Sequence, residues 1–480
     1  MELNRIENKQ PFMRIEEMLE LKADVKVFEE QGILDMKEII LKDTQPNILK
    51  GTKHKYTLFC FLTFKKGCEQ EIVSWLKKMP LTSAFEQEEQ KNENSRAISL
   101  SLSYAGYEFF CDPLKIRELF PLEDDDVIAF QQGLSERCPQ AFGGKNRRAV
   151  EDNYEKTIHA MILIASNDDR LKEWNKPNVK NRQESLLEFF IANSSRNENS
   201  FKNNFGSVFF EIGLRNPDGS NEETKEWFGF KDGISNPRFY PSQNLESNPG
   251  FKPDDPSELN VVLRRDKLSP SRYACGSFVV FLKLEQDVEA FNEKVEKLAE
   301  KLDMTDYEGY VAAYMMGRHK DGTPLHELFN YPSHGKSNLN DFDFENDPKG
   351  EVCPFHSHIR KANARDGQQK RIVRRGKIYG NKKAEQKGLL FLSYQSSLYS
   401  FEKIVNSGLY GYNYKTKNTG QDVLFVEKSK YVKNHRYPNA KGKFISPYVN
   451  VDRDLITYRG GLYFFTSSIS FIRDYLEYCM

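Results

Sequence analysis

Phe228-Gly229-Phe230-Lys231-Asp232-Gly233-Ile234-Ser235-Asn236-Pro237 sets one carboxylate between two glycines, with Trp227, Phe228 and Phe230 beside it. Glycine lets a backbone approach a ligand closely and adopt torsions that other residues avoid. An acid held there is a candidate catalytic group. Asp-Gly and Asn-Pro are also ordinary turn signals. Taken alone the run reads as a turn, and its chemistry depends on what the rest of the chain brings to it.

The chain has 480 residues, too many for one typical core, which predicts two domains or one duplicated fold. Hydrophobic residues make up 38% of it and include 35 Phe and 23 Tyr, enough to fill such cores. Lys+Arg and Asp+Glu are both 70, so the bulk basic field of a nucleic-acid binder is absent. Seven cysteines, at 60, 68, 111, 138, 275, 353 and 479, form no Cys-x-x-Cys. The pattern argues against a disulfide framework or a zinc–thiolate site and fits reduced thiols. Met1 to Glu7 has no apolar core of a signal peptide. No stretch nears the run of about 18 apolar residues that a membrane span requires. The expected location is the cytoplasm, with no membrane partner.

Residues 1–40 are charged and read as an N-terminal extension. Strand and helix patterns follow. Tyr56–Phe64, Ala97–Leu102, Thr157–Ala165 and Ser207–Ile212 read as strands and Glu69–Lys78 as a helix. Residues 166–204 are polar and read as a surface insertion with one short helix at Ser185–Ala192. Pro237, Pro241, Pro249, Pro253, Pro256 and Pro270 mark a crossover. Beyond it the theme repeats. Ser277–Leu284 is strand-like. Val288, Phe291, Val295, Leu298 and Leu302 lie at helical spacing, and Tyr307–Met316 reads as another helix. Leu389–Ser393 and Leu462–Thr466 are strands around a helix at Phe401–Val405, and a helix closes the chain. Residues 333–386 are long, basic and poor in pattern, as functional loops are. The expected boundaries are 1–40, a first module over 41–240, a crossover over 241–270 and a second module over 271–480, an α+β arrangement.

The basic stretch contains Cys353-Pro354-Phe355-His356-Ser357-His358-Ile359-Arg360, and Arg374-Arg375-Gly376 follows. Two of the eight histidines sit here. Histidine ligates zinc, copper or haem iron; it is also common in a solvent-facing loop. A carboxylate in a glycine turn, a histidine and an arginine are the three roles of haem peroxide chemistry. One group holds iron, one moves a proton between the peroxide oxygens, and a fixed cation stabilises the charge that grows as the O–O bond breaks.

The order of these segments resembles the dye-decolorizing (DyP-type) haem peroxidases, in their larger subgroup, over roughly residues 44–475. Gln45-Pro46-Asn47-Ile48-Leu49-Lys50-Gly51 is similar to the family's opening motif, and Phe228 to Pro237 to its signature. Tyr273 to Phe278 with Leu284 to Val288, Cys353 through Arg360, Arg374 to Gly380, and Gly460 to Phe465 complete the order. His356, Ser357, Ala364 and Pro46 depart from the usual residues without removing a chemical role.

The resemblance implies haem b and two ferredoxin-like modules, antiparallel sheets with flanking helices, enclosing the haem as in the dimeric α/β-barrel superfamily. It places the iron ligand at His358 rather than His356 and the acid–base group at Asp232. The distal cation falls at Arg374, with Arg375 as the neighbouring register. Gly229, Phe230 and Gly233 would lie against the cofactor. Leu389 and Phe391 share a strand face, as pocket walls or as core. A carboxylate behind the proximal histidine is placed at Asp454, with Asp452 as the alternative. The implied partners are hydrogen peroxide and small aromatic or dye reductants, reached through aromatics such as Trp227, in a possible homo-oligomer. A haem-binding or iron-handling protein with little turnover is the rival reading; it would need His358 but neither Asp232 nor Arg374.

Overall fold

The computed structural model describes residues 34–480 apart from 90–94, 121–123, 144–148, 177–178, 195–202, 217–224, 240–256, 268, 270, 272, 326–343, 346, 364–370, 382–383, 412, 415–416, 419, 427–434 and 450. Most of the expected extension over 1–40 lies outside the described residues. So do much of the crossover, with Pro241, Pro249, Pro253, Pro256 and Pro270, and Ala364.

Eight antiparallel strands close into a ring: β1 Tyr56–Phe64, β2 Ala97–Leu102, β3 Ala160–Ser166, β4 Phe205–Leu214, β5 Cys275–Gln286, β6 Lys377–Tyr379, β7 Gly388–Gln395 and β8 Ile456–Thr466. The first set runs β4-β1-β3-β2 and the second β8-β5-β7-β6. Each set has the order fourth, first, third, second. That is the ferredoxin-like arrangement, used twice. The sets meet at two narrow seams, Phe465 against Leu102 and Leu214 against Ile378.

Strand alternation divides the apolar residues between two faces. Phe59, Phe61, Met161, Leu163, Phe209, Phe281, Leu390, Leu392 and Phe464 share one core. Their strand neighbours Leu58, Cys60, Ile162, Phe210, Leu282 and Tyr463 share another. The first group fills the ring, as side chains do in eight-stranded barrels. Phe61 stacks on Phe209 at 4.7 Å and meets Phe281 edge-on at 4.9 Å. The abundance of phenylalanine therefore belongs to the barrel interior and its neighbouring layers.

The helix Arg182–Ser194 corrects the reading of 166–204 as a surface insertion. Leu186, Phe189 and Phe190 are buried against the outer face of the first sheet. Its stripe is the second crossing helix of the first module. On the second module, the helix Val288–Lys301 starts at the Asp287 cap, whose carboxylate accepts the Ala290 N–H at 2.8 Å. Its buried stripe, Ala290, Phe291, Val295 and Leu298, joins the helix Glu308–Met316 in a third core. That core also takes Phe228 and Phe230 from the glycine run. Between this helical layer and the outer face of the second sheet lies a cavity of about 520 Å³, within the range of about 300–1,000 Å³ usual for ligand sites. No helix among the described residues is long and apolar enough to cross a membrane.

Candidate functional site

The glycine run forms a turn that its own phenylalanines anchor. Phe228 stacks on Phe291 at 4.3 Å, and Phe230 meets the same ring edge-on. Gly229 and Gly233 have φ of 93° and 83°, torsions that strain residues with a Cβ. With its apolar flanks pinned, the turn presents Asp232 to the cavity together with Phe230 and Gly233. Gly229 does not line the cavity; its pro-side-chain face meets the Lys320 side chain. Its expected place against a cofactor is therefore corrected: it shapes the turn.

Arg374 reaches the same cavity from the two-residue strand Val373–Arg374 on β7. Its Nη1 lies 3.0 Å from Asp232 Oδ1. The same oxygen accepts the Gly233 N–H at 2.6 Å. Asn236, in the same run, locks the arginine backbone. Its Oδ1 accepts the Arg374 N–H and its Nδ2 donates to the Arg374 carbonyl, both at 3.0 Å. Arg375 turns away and donates to the carbonyls of Asn47, Ile48 and Leu49. Neighbouring strand residues point to opposite faces, which separates these two arginines. The opening motif serves to hold Arg375, with Gly51 packed against its side chain.

His358 begins the short helix His358–Ala362 and lines the cavity. Its Nδ1 lies 2.8 Å from Asp422 Oδ2. Asp422 is fully buried and its other oxygen accepts the Leu424 N–H at 2.8 Å. This carboxylate fixes Nδ1 as the donor and leaves Nε2 as the unprotonated ring nitrogen. The expected proximal carboxylate, Asp454 or Asp452, is thereby corrected. Both are exposed in the turn before β8, and neither lines the cavity. His356 points elsewhere: it is buried and stacks on His435 at 4.2 Å. Burial holds both rings well below the usual histidine range, so both are neutral.

Arg360 secures the histidine helix. Fully buried, it lies between the rings of Phe344 and Phe355. It donates to Asp347 Oδ2 at 2.6 Å and to the Cys353 carbonyl at 2.5 Å. Asp347 in turn accepts the N–H groups of Glu351, Val352 and Cys353. The Cys353–Arg360 segment thus folds around one buried ion pair, which sets the start of the helix and so His358.

Leu389 and Phe391 face outward from the ring and wall the cavity with Leu282 and Leu284 of β5. Met316, Ile359, Leu409 and Phe425 close it from the helical side, and Arg318 and Arg371 add cations to its lining. Glu226 was not singled out by the sequence. It lines the cavity two residues before Phe228, and partial burial, with Asp232 adding to it, raises its carboxyl to about 7. Asp422 was missed as well, because 64 residues separate it from His358. A glutamate directly before the aromatic glycine run was the available signal for the first; the second had none.

The pattern has counterparts. Residues 223–424 match the family model described as Dyp-type peroxidase, C-terminal. The chain is 30% identical over 296 residues to the multifunctional dye peroxidase DyP2 of Amycolatopsis sp., covering 55% of this chain and 63% of that protein. The match to dye-decolorizing peroxidase msp1 of Mycetinis scorodonius spans 58% of its length. A dye-decolorizing peroxidase of Mycena epipterygia is 32% identical over 406 residues, 75% of this chain and 70% of that one. Among solved structures, the DyP-type peroxidase of Anabaena sp. superposes with a TM-score of 0.73 at 27% identity, over 92% of this chain and 95% of its own. The sequence match to the Mycena protein, extending over most of both chains, agrees with the doubled ferredoxin-like ring and its walled cavity: the chain belongs to the dye-decolorizing (DyP-type) peroxidase family.

Proposed function

We propose that the chain is a haem-dependent peroxidase that reduces hydrogen peroxide and oxidises dyes, phenolics or other one-electron donors. The observation that supports it best is the convergence in one cavity of a tethered histidine and a paired aspartate and arginine. The lining suits haem b. Leu282, Leu284, Leu389, Phe391 and Phe230 offer apolar walls for a porphyrin, and Arg318 and Arg371 offer cations for its carboxylates. Among the described residues no group of three or more His, Cys, Asp or Glu could hold a bare metal ion. One imidazole is enough where the macrocycle supplies the other nitrogens.

Bound haem would supply the redox centre for peroxide. His358 Nε2 would hold its iron, and the Nδ1–H···Asp422 bond would make the imidazole a stronger electron donor. On Asp232, Oδ1 is already engaged by the Gly233 N–H and by Arg374. Oδ2 is therefore the atom that takes a proton from the substrate and returns it. Arg374 remains charged throughout and stabilises the negative charge that develops on oxygen. Asn236 keeps that guanidinium in register.

Reconstitution with haem tests the reading. A Soret band that shifts on addition of peroxide, with oxidation of an anthraquinone dye or a phenol, is the expected result. His358→Ala should abolish the native iron spectrum; an unchanged spectrum would remove His358 as ligand. The rival iron-handling reading leaves the Asp232–Arg374 pair without a purpose, and haem binding with no peroxide turnover would favour it.

A further inference from the structure

Glu226 has a place in the turn that the reaction described above does not use. Its Oε1 accepts the Phe230 N–H at 2.8 Å. Its Oε2 accepts the Phe228 N–H at 2.8 Å and Gln286 Nε2–H at 2.5 Å. The main chain closes the same loop: Glu226 N–H donates to the Phe230 carbonyl at 3.0 Å, and Gly229 N–H donates to the Glu226 carbonyl at 2.9 Å. The left-handed torsion at Gly229 turns the Phe228 and Phe230 N–H groups to one side. Such paired donors form a concave anion site. Here the anion is the chain's own carboxylate.

The third bond reaches further. Gln286 is the last residue of β5, in the second sheet. Both Glu226 and Gln286 line the cavity. The Glu226 carboxylate therefore ties the turn of the first module to a rigid strand of the second. Phe230 stands two residues before Asp232, and Lys231 N–H is held by the Lys320 carbonyl at 3.1 Å. Asp232 leaves this anchored backbone directly. With two donors on one oxygen and one on the other, both oxygens of Glu226 are held, which suits a strut.

We propose that Glu226 is a positioning residue: it latches the glycine turn to Gln286 on β5 and so holds Asp232 where Oδ2 faces the substrate. The proposal rests on the peroxidase reading of the site. It acts through geometry, and a misplacement of about 1 Å at a reacting group can cost about 10²-fold.

The test is a double-mutant cycle on haem-loaded protein with Glu226→Ala, Asp232→Asn and both together. The readouts are the rate of the peroxide-induced Soret change, the dissociation constant for cyanide, and haem affinity by titration. Glu226→Ala alone should slow the peroxide step at least about tenfold, with haem affinity little changed. If Glu226 acts through Asp232, the double variant is no slower than Asp232→Asn alone, and its cyanide affinity matches that of the single variant. Full additivity of the two substitutions would overturn the proposal. If Asp232→Asn by itself left the peroxide rate unchanged, the reading of the site would fail first, and this inference with it. Should Glu226→Ala not fold, Gln286→Leu keeps the carboxylate and cuts only its tie to β5. A slower peroxide step that vanishes in the Asp232→Asn background again supports the latch, and a wild-type rate contradicts it.

Discussion

Asp422, behind His358, and Asp232, on the cavity wall, are carboxylates held in opposite ways. Asp422 is sealed from solvent, with one oxygen on His358 and the other on a backbone N–H. Asp232 and its partner Arg374 are each partly exposed to the cavity, at 24% and 32% of their side chains. A buried, fully paired carboxylate keeps its geometry because any movement would strand a charge. A carboxylate with one oxygen open can exchange a proton. On the proposed reading, the same residue type would fix a ligand in one place and handle a proton in the other, and the surroundings decide which.

The contrast predicts different failures. On the proposed roles, Asp232→Asn removes the oxygen assigned to proton transfer and should slow the peroxide step by about 10²–10⁴. Its thermal unfolding should stay within about 0.5 kcal/mol of wild type, as for changes away from the core. A large loss of stability would show that Asp232 is structural after all. Arg360→Met leaves Asp347 buried without its cation. A cost of about 3–5 kcal/mol is expected, read by denaturant unfolding, together with weaker haem binding. If stability fell by less than about 1 kcal/mol, within the range of exposed pairs, the support assigned to this pair under His358 would be wrong. Asp422→Asn keeps shape but removes charge behind His358, the proposed ligand. It should weaken iron coordination by about 10–100-fold and shift the Soret band. Equal effects of the Asp422 and Asp232 changes on both readouts would erase the distinction drawn here.

A separate effect, confined to stability, concerns Glu226, whose carboxyl is raised from its ordinary value of 4.5 to about 7 by burial, with Asp232 contributing. Between those values the folded protein holds a proton that the unfolded chain has released. Its contribution to stability is full below 4.5 and declines as pH rises through 7. Apoprotein melts measured across that window should show wild type losing ground to Glu226→Gln as pH rises. Parallel curves would mean that the group titrates normally.

Much of the fold was legible. Tyr56–Phe64 and Ala97–Leu102 were read to the residue, because unbroken apolar or alternating runs with sharp polar borders have one fit to a strand. The helix Val288–Lys301 was equally plain from its apolar stripe. Three short helices, Tyr104–Phe110, Pro113–Leu119 and Asp125–Gln132, went unread although Ser103, Asp112 and Asp124 cap them. Each is too short to establish a period, so only the caps spoke for it. The polar stretches around Arg182–Ser194 hid a stripe that packing makes plain. In the site, Phe230, Asp232, Gly233, His358, Arg374, Leu389 and Phe391 all line the cavity, whereas Gly229 and Asp454 do not.

By itself the sequence determined the local matters: where strands alternate, where glycines permit a turn, and which titratable side chains were candidates for the site. The tertiary structure alone decided that Arg374 rather than Arg375 meets Asp232, that Asp422 rather than Asp454 stands behind His358, and that Glu226 reaches β5. These are pairings between segments 60 to 142 positions apart in the numbering. Their geometry follows from how two four-stranded sheets close on each other and how far a helical layer stands off the second. Local sequence encodes torsions and faces; only closure of the ring brings the chosen faces together.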